Sequence, residues 1–70
     1  MTTIKDLRIE AGLTAFELAG KASVSTSSIN RMENLKNPVK RLVVSKTLRA
    51  LSQELGRPIS LNDIEVRLAD

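Results

Sequence analysis

A helix-start signal recurs along this chain and constrains its fold more than any other feature: a hydroxyl residue followed three positions later by an acidic one. The pairs are Thr3 with Asp6, Thr14 with Glu17, and Ser60 with Asp63. In such a capping box, each of the two side chains accepts a hydrogen bond from a backbone N–H that the first helical turn leaves unpaired. The three signals therefore divide a 70-residue chain into short helices.

Further start signals and apolar spacing raise the expected number of helices to five. Ser25 predicts another cap, and Pro38 predicts a helix start because proline is preorganised for the first helical position. The second helix is predicted over 15–22 and the third over about 26–34. We therefore expect an all-α fold, a compact bundle of about five short helices forming one domain over residues 1–70.

The C-terminal half is predicted to hold the last two helices. The fourth carries an apolar stripe that ends at Gly56, although the cluster Leu42-Val43-Val44, with its two β-branched valines, leaves a short strand possible at its beginning. The fifth helix is predicted to start at Ser60. The residues expected to form its buried stripe are Leu61, Ile64 and Leu68.

The composition excludes several classes of function. The sequence has no Cys and no His, which removes the usual zinc ligands and the usual base that activates a nucleophile. We therefore expect no catalytic site, no metal and no cofactor. No apolar run is long enough to span a membrane, and the N-terminus does not resemble a signal peptide. A cytoplasmic protein is expected, with no domain for a small-molecule effector.

The positive charge is concentrated in one part of the chain. Residues 34–49 contain five basic residues and no acidic one, whereas residues 1–33 sum to zero and residues 50–70 to −2. This distribution accounts for the whole net charge of +3. Local basic patches attract polyanions, so the middle segment is a candidate nucleic-acid contact. Residues 50–70, which carry a net negative charge, are expected to face away from DNA.

The second and third predicted helices are joined by only about three residues. A turn this short makes the two helices cross steeply, as in the helix-turn-helix motif. The outward face of the third helix carries short polar groups and one arginine, which suits reading base edges in a major groove.

The stretch LRIEAGLTAFELAGKASVSTSSINRMEN resembles the helix-turn-helix of the phage repressor and Cro family. The resemblance is carried by Leu7-Arg8, Gly12-Leu13-Thr14, Glu17-Leu18-Ala19, Val24-Ser25, Ile29 and Glu33-Asn34. It covers residues 4–34 strongly and 42–65 as a general pattern. It implies a lambda-repressor-like fold, with the helix-turn-helix at about 15–34. It also implies a transcription regulator that binds a palindromic operator in double-stranded DNA as a homodimer.

The resemblance also implies roles for individual residues. Thr26, Ser27 and Arg31 match positions that read bases, and Asn30 beside them is a candidate for bases or phosphate. Arg8 and Glu33 match a pair that forms a structural salt bridge. The residues expected to contact phosphate are Asn34, Lys36, Lys40 and Arg41. For Lys40 and Arg41 there is an independent reason, because cations at a helix start oppose the helix dipole unless an anion binds there.

Three residues depart from the family pattern. Ala15 replaces a glutamine that clamps phosphate, so that contact is lost. Ser23 replaces the turn glycine, so either a non-glycine residue adopts the left-handed conformation or the turn has another shape. Leu35 replaces the glycine after Glu-Asn, and the loop before Pro38 is longer than usual.

Two surfaces are candidates for protein contacts. Phe16 is the only aromatic residue, and together with Gly20 one turn later it forms a possible partner surface. This surface supports an alternative function, an interaction module such as an antitoxin or adaptor, although partial burial of Phe16 is the simpler interpretation. The dimer contact is expected on the fifth helix and the end of the fourth. Its apolar residues would be Leu61, Ile64, Val66 and Leu68.

Overall fold

Four α-helices account for more than half of the chain in the computed structural model, which describes residues 2–69. They are α1 (Ile4–Glu10), α2 (Ala15–Ala22), α3 (Thr26–Asn34) and α4 (Arg41–Leu55). A 3₁₀ turn (Leu61–Asp63) follows, and two short strands, β1 (Thr2–Thr3) and β2 (Ile64–Glu65), pair in parallel. The fold is thus a mostly helical bundle, as predicted, with four α-helices rather than five.

The predicted caps begin the first three helices. The Thr3 and Thr14 hydroxyls accept hydrogen bonds from the N–H groups of Asp6 and Glu17, whose carboxylates accept from the N–H groups of the two threonines. The Ser25 hydroxyl likewise accepts a bond of 3.1 Å from the Ser28 N–H. These three start signals were confirmed because each depends only on residues within one helical turn.

The turn between α2 and α3 keeps the expected shape without its usual glycine. Ser23 adopts the left-handed conformation, with φ at +57°. Its N–H donates to the Gly20 carbonyl, and the Val24 N–H donates to the Ala19 carbonyl at 3.0 Å. This pair of bonds is the Schellman motif, which satisfies carbonyls that the end of the helix leaves unpaired. Of the two alternatives for this turn, the structure shows a serine in the strained conformation.

The predicted start of the fourth helix at Pro38 is wrong. α4 begins at Arg41, and Val39 instead lies in a parallel bridge with Leu68. Val39 is 5% exposed, and its N–H and carbonyl both bond to the C-terminal residues. A helical start at Pro38 would take Val39 out of this pairing. The alternative strand at 42–44 is also absent, because those residues lie in the first turn of α4.

The predicted fifth helix is wrong as well. The Ser60 N–H does donate to the Asp63 carboxylate, at 2.8 Å, but the Asp63 N–H donates to the Ser60 carbonyl and the helix ends after three residues. The chain then runs extended, because Ile64 and Glu65 pair with β1 and Leu68 pairs with Val39. Apolar residues alternate with charged ones from Ile64 to Leu68, which is the strand period.

One hydrophobic core lies between the four helices. Its largest fully buried side chains are Ile4, Leu18, Ile29, Met32, Val44 and Leu51. Ile64 is 3% exposed, and Leu61, Val66 and Leu68 are half-buried against the same core. The dimer surface predicted on a fifth helix is therefore corrected, since its apolar residues pack inside the protomer.

Candidate nucleic-acid interface

Helix α3 is anchored by its inner face and presents a polar outer one. Ile29 and Met32 are fully buried, so the rotation of the helix about its axis is set by the core. Ser27, Asn30 and Arg31 are exposed, and the helical spacing of three and four residues places them on one outward face. The fourth predicted base-reading residue, Thr26, is half-buried at the start of the helix.

The segment after α3 turns sharply and carries the first predicted phosphate contacts. Leu35 ends the helix in the left-handed conformation, with φ at +61°. The Asn34 side-chain oxygen accepts a hydrogen bond of 2.9 Å from the Lys36 N–H, which closes the turn. The side-chain oxygen of Asn34 is thus already used within the turn, while Lys36 is exposed.

The start of α4 lacks the stabilisation that the other helices have. Lys40 is its N-cap residue and makes no capping bond with its side chain, and the first turn contains no acidic residue. Lys40 and Arg41 are both exposed. The helix dipole and these cations together make this end of a 15-residue helix attractive to an anion.

Arg8 ties α1 to the end of α3. Its Nε lies 2.6 Å from one Glu33 carboxylate oxygen and its Nη2 lies 3.1 Å from the other, while Nη1 donates to the Leu13 carbonyl at 3.0 Å. The two side chains are only 16% and 12% exposed. The hydrogen bonds to Glu33 raise the pKa of Arg8 above its usual value. The pair therefore fixes the C-terminal end of α3 against α1.

A family model described as helix-turn-helix, of the Cro and repressor type, matches residues 4–64. The chain belongs to this helix-turn-helix family. No curated protein and no solved structure gave a significant match. Membership shows that the chain is a DNA-binding helix-turn-helix protein of the kind that regulates transcription. Within residues 2–69, no helix has the length and hydropathy needed to cross a membrane.

The acidic side chains of this helix-turn-helix domain are largely engaged within it. Three serve in capping boxes and three in ion pairs with arginine or lysine. These six carboxylates are those of Asp6, Glu10, Glu17, Glu33, Glu54 and Asp63. By contrast, Arg31, Lys36 and Lys40 extend from the α3 and α4 side into solvent. The exposed charged side chains of α3, of the loop after it and of the start of α4 are therefore basic, which attracts a polyanion.

A second basic region lies away from α3. Lys21, Lys46 and Arg49 line a groove of about 350 Å³ between α2 and α4. Lys21 is paired there with Glu54 at 3.0 Å. Lys46 and Arg49 line this groove, whereas Arg31 and Lys40 line a different groove beside α3.

Phe16 is exposed in the helix-turn-helix domain. Its side chain is 78% exposed, so the simpler interpretation, burial against a neighbouring element, is wrong. Gly20 lies one turn later, and a Cβ built on it would meet nothing within 4 Å. The structure thus gives no packing reason for a glycine at this position.

The segment after β2 is predicted to be helical, whereas the structure places it, extended, beside α3. Ala69 lines a groove of about 280 Å³ together with Ser28, Arg31 and Lys40. Residue 69 thus lies on the same side of the domain as Arg31 and Lys40. Only the alternation from Ile64 to Leu68 could have indicated an extended chain here, and it does not specify the partner.

Proposed function

We propose that this protein is a sequence-specific transcription regulator that places α3 in the major groove of operator DNA. The observation that carries the proposal is the exposed polar face of α3 beside basic residues of the loop and of the start of α4. The pairing of Glu33, the acidic residue of α3, with Arg8 favours the same surface for a polyanion. Such a regulator acts in the compartment that holds DNA, which we propose to be the cytoplasm.

Each exposed group on this surface has chemistry that suits one part of DNA. The guanidinium of Arg31 offers the planar pair of donors that fits the two acceptors of guanine. Thr26, Ser27 and Asn30 are short polar residues that reach base edges only when the helix lies deep in the groove. The backbone phosphates are assigned to Lys36, Lys40, Arg41 and the remaining amide donors of Asn34.

We propose that the regulator binds as a homodimer to a palindromic site. Two recognition helices about 34 Å apart would enter successive major grooves. The dimer would then contact DNA through two short helices instead of one. Apart from Phe16, the exposed apolar residues available for a symmetric contact are Ile9 and Leu42, which are 60% and 66% exposed. Sedimentation of the protein with a selected duplex tests this, with two chains per palindrome expected and one chain per palindrome contradicting it.

Selection of bound sequences from random duplexes tests the main proposal. We expect a palindromic consensus, and we expect Arg31→Ala to lose the preference at the base pair that Arg31 reads, at a cost of about 1–3 kcal/mol. Arg49→Ala is the matched control, because it removes an exposed arginine from the groove between α2 and α4. Equal binding to every duplex, or an Arg49→Ala effect identical to that of Arg31→Ala, would refute the assignment.

The phosphate contacts have a separate test in the salt dependence of binding. Lys40→Ala should weaken binding to all duplexes alike and reduce the slope of log affinity against log salt by about 1. Lys5→Ala, which removes an exposed lysine from α1, should leave the slope unchanged. An unchanged slope for Lys40→Ala would remove Lys40 from the phosphate contacts.

A second candidate function is a protein-interaction module, such as an antitoxin or adaptor built on the same fold. The exposure of Phe16 beside the open position at Gly20 is the observation that favours it. Phe16→Glu should then abolish capture of a protein partner while DNA binding persists. If Phe16→Glu leaves every protein contact of the chain intact, this second function is excluded for that surface.

A further inference from the structure

The C-terminal segment (residues 66–69) holds the loop that precedes α4. The Val39 N–H donates to the Arg67 carbonyl at 2.9 Å, and the Ala69 N–H donates to the Val39 carbonyl at the same distance. Leu68, between those two residues, is half-buried against the core. Both backbone polar groups of Val39 are thus satisfied by the C-terminal segment.

Val39 is the buried anchor of the loop between α3 and α4. That loop spans residues 35–40, and within it Val39 alone falls below one tenth exposure. Lys40 is the next residue and the N-cap of α4, where no side chain provides a cap. The position of Lys40 therefore depends on a residue whose backbone is fixed by the C-terminal segment.

The same segment forms one side of a groove beside α3. Ala69 lines this groove with Ser28 and Arg31 of α3 and with Lys40. Two cationic side chains and a hydroxyl in one groove are groups that bind a phosphate oxygen. Ala69 is exposed, so its side chain borders this site without filling the core.

We propose that the C-terminal segment contributes to the DNA interface. It positions Lys40 through the backbone of Val39, and residue 69 forms the wall of a groove that takes a backbone phosphate. This inference rests on the proposed function, because it assumes that α3 and the start of α4 face DNA.

Opposite charges at position 69 test whether that residue borders the phosphate. Ala69→Lys should tighten binding to all duplexes and steepen the salt slope, and Ala69→Glu should weaken binding roughly threefold to tenfold at low salt. The same two changes at Asn62, an exposed residue of the 3₁₀ turn, serve as controls and should have little effect. Equal responses at the two positions would overturn the proposal.

A proline at position 69 tests whether the C-terminal segment positions Lys40. Ala69→Pro removes the N–H that bonds to the Val39 carbonyl, whereas Ala69→Ser keeps it. We expect Ala69→Pro to bind all duplexes roughly threefold to tenfold more weakly than Ala69→Ser, with a shallower salt slope because Lys40 is no longer held. The thermal transition of each variant, measured alongside, shows that the fold persists.

The outcomes separate this inference from the proposed function. If the unchanged protein fails to bind any duplex, the proposed function fails. If the unchanged protein binds, and Ala69→Pro binds with the affinity and salt slope of Ala69→Ser, only the role of the C-terminal segment is refuted.

Discussion

The ion pair between Arg8 and Glu33 should contribute strongly to stability because it is largely shielded from water. Two charge-assisted hydrogen bonds, at 2.6 Å and 3.1 Å, join side chains that are 16% and 12% exposed. Breaking a fully buried pair costs about 3–5 kcal/mol, and a fully exposed pair contributes at most about 1 kcal/mol. We therefore expect Glu33→Ala to lower the free energy of unfolding by about 2–3 kcal/mol.

That loss is large for so small a protein. A 70-residue domain has a total stability of about 4–10 kcal/mol, and each kcal/mol lost lowers Tm by about 4–8 °C. Arg8→Met should cost somewhat more than Glu33→Ala, because Arg8 also bonds to the Leu13 carbonyl. Urea unfolding of the two single variants and the double variant measures the coupling energy, which should be about 1.5–3 kcal/mol.

The chain contains a matched control for this experiment. Arg57 and Glu10 form an equally bidentate pair, at 2.7 Å and 3.0 Å, but their side chains are 48% and 49% exposed. The same cycle on this pair should give a much smaller coupling energy that diminishes in high salt, because solvent screens exposed charges. If the two cycles give equal coupling energies, shielding from water is not what makes the Arg8 pair strong.

Three further changes have expected effects on stability. Ser23→Gly should raise the free energy of unfolding by about 0.5–1 kcal/mol, because glycine adopts the left-handed conformation at φ +57° without steric strain. A lower urea midpoint would show that the serine is not strained. Gly20→Ala should stabilise by about 0.5–1 kcal/mol, since the added methyl group meets open space in a helix interior, and destabilisation would show a hidden clash. A hydrogen bond from Arg57 lowers the pKa of Glu10 below 4.5, and a hydrogen bond from the Thr14 backbone N–H does the same for Glu17. These ionised carboxylates therefore stabilise the fold above pH 4.5, and this stabilisation is lost as the pH falls through the lowered pKa values. The urea midpoint should therefore decrease from about pH 6 to about pH 3, and less so in Glu17→Gln; a constant midpoint would contradict the pKa directions.

Local signals in the sequence predicted the first three helices and the turn between α2 and α3. Thr3, Thr14 and Ser25 cap their helices through bonds that span three residues, so neighbouring residues suffice to define them. The apolar positions Ile29 and Met32 in turn indicate which side of α3 faces the core. The outward placement of Ser27, Asn30 and Arg31 follows from that same helical period.

The C-terminal third shows where local signals are insufficient. The Asp63 carboxylate accepts hydrogen bonds from the Ser60 N–H and hydroxyl, yet the helix that begins there ends after three residues. The residues that follow make extended pairings with β1 and with Val39, far away in the chain. A helix there would satisfy its own backbone, but it would leave the backbone groups of the nearly buried Val39 without these partners.

The sequence by itself determined three helices, the helix-turn-helix and the basic character of the middle segment, because capping, periodicity and charge are properties of near neighbours. Only the tertiary structure decided where α4 begins, why residues 64–68 are extended rather than helical, and that Ala69 lies beside Arg31 and Lys40. Those features depend on backbone pairings between residues 39 and 67–69, and no local pattern encodes which distant segment an extended chain will pair with.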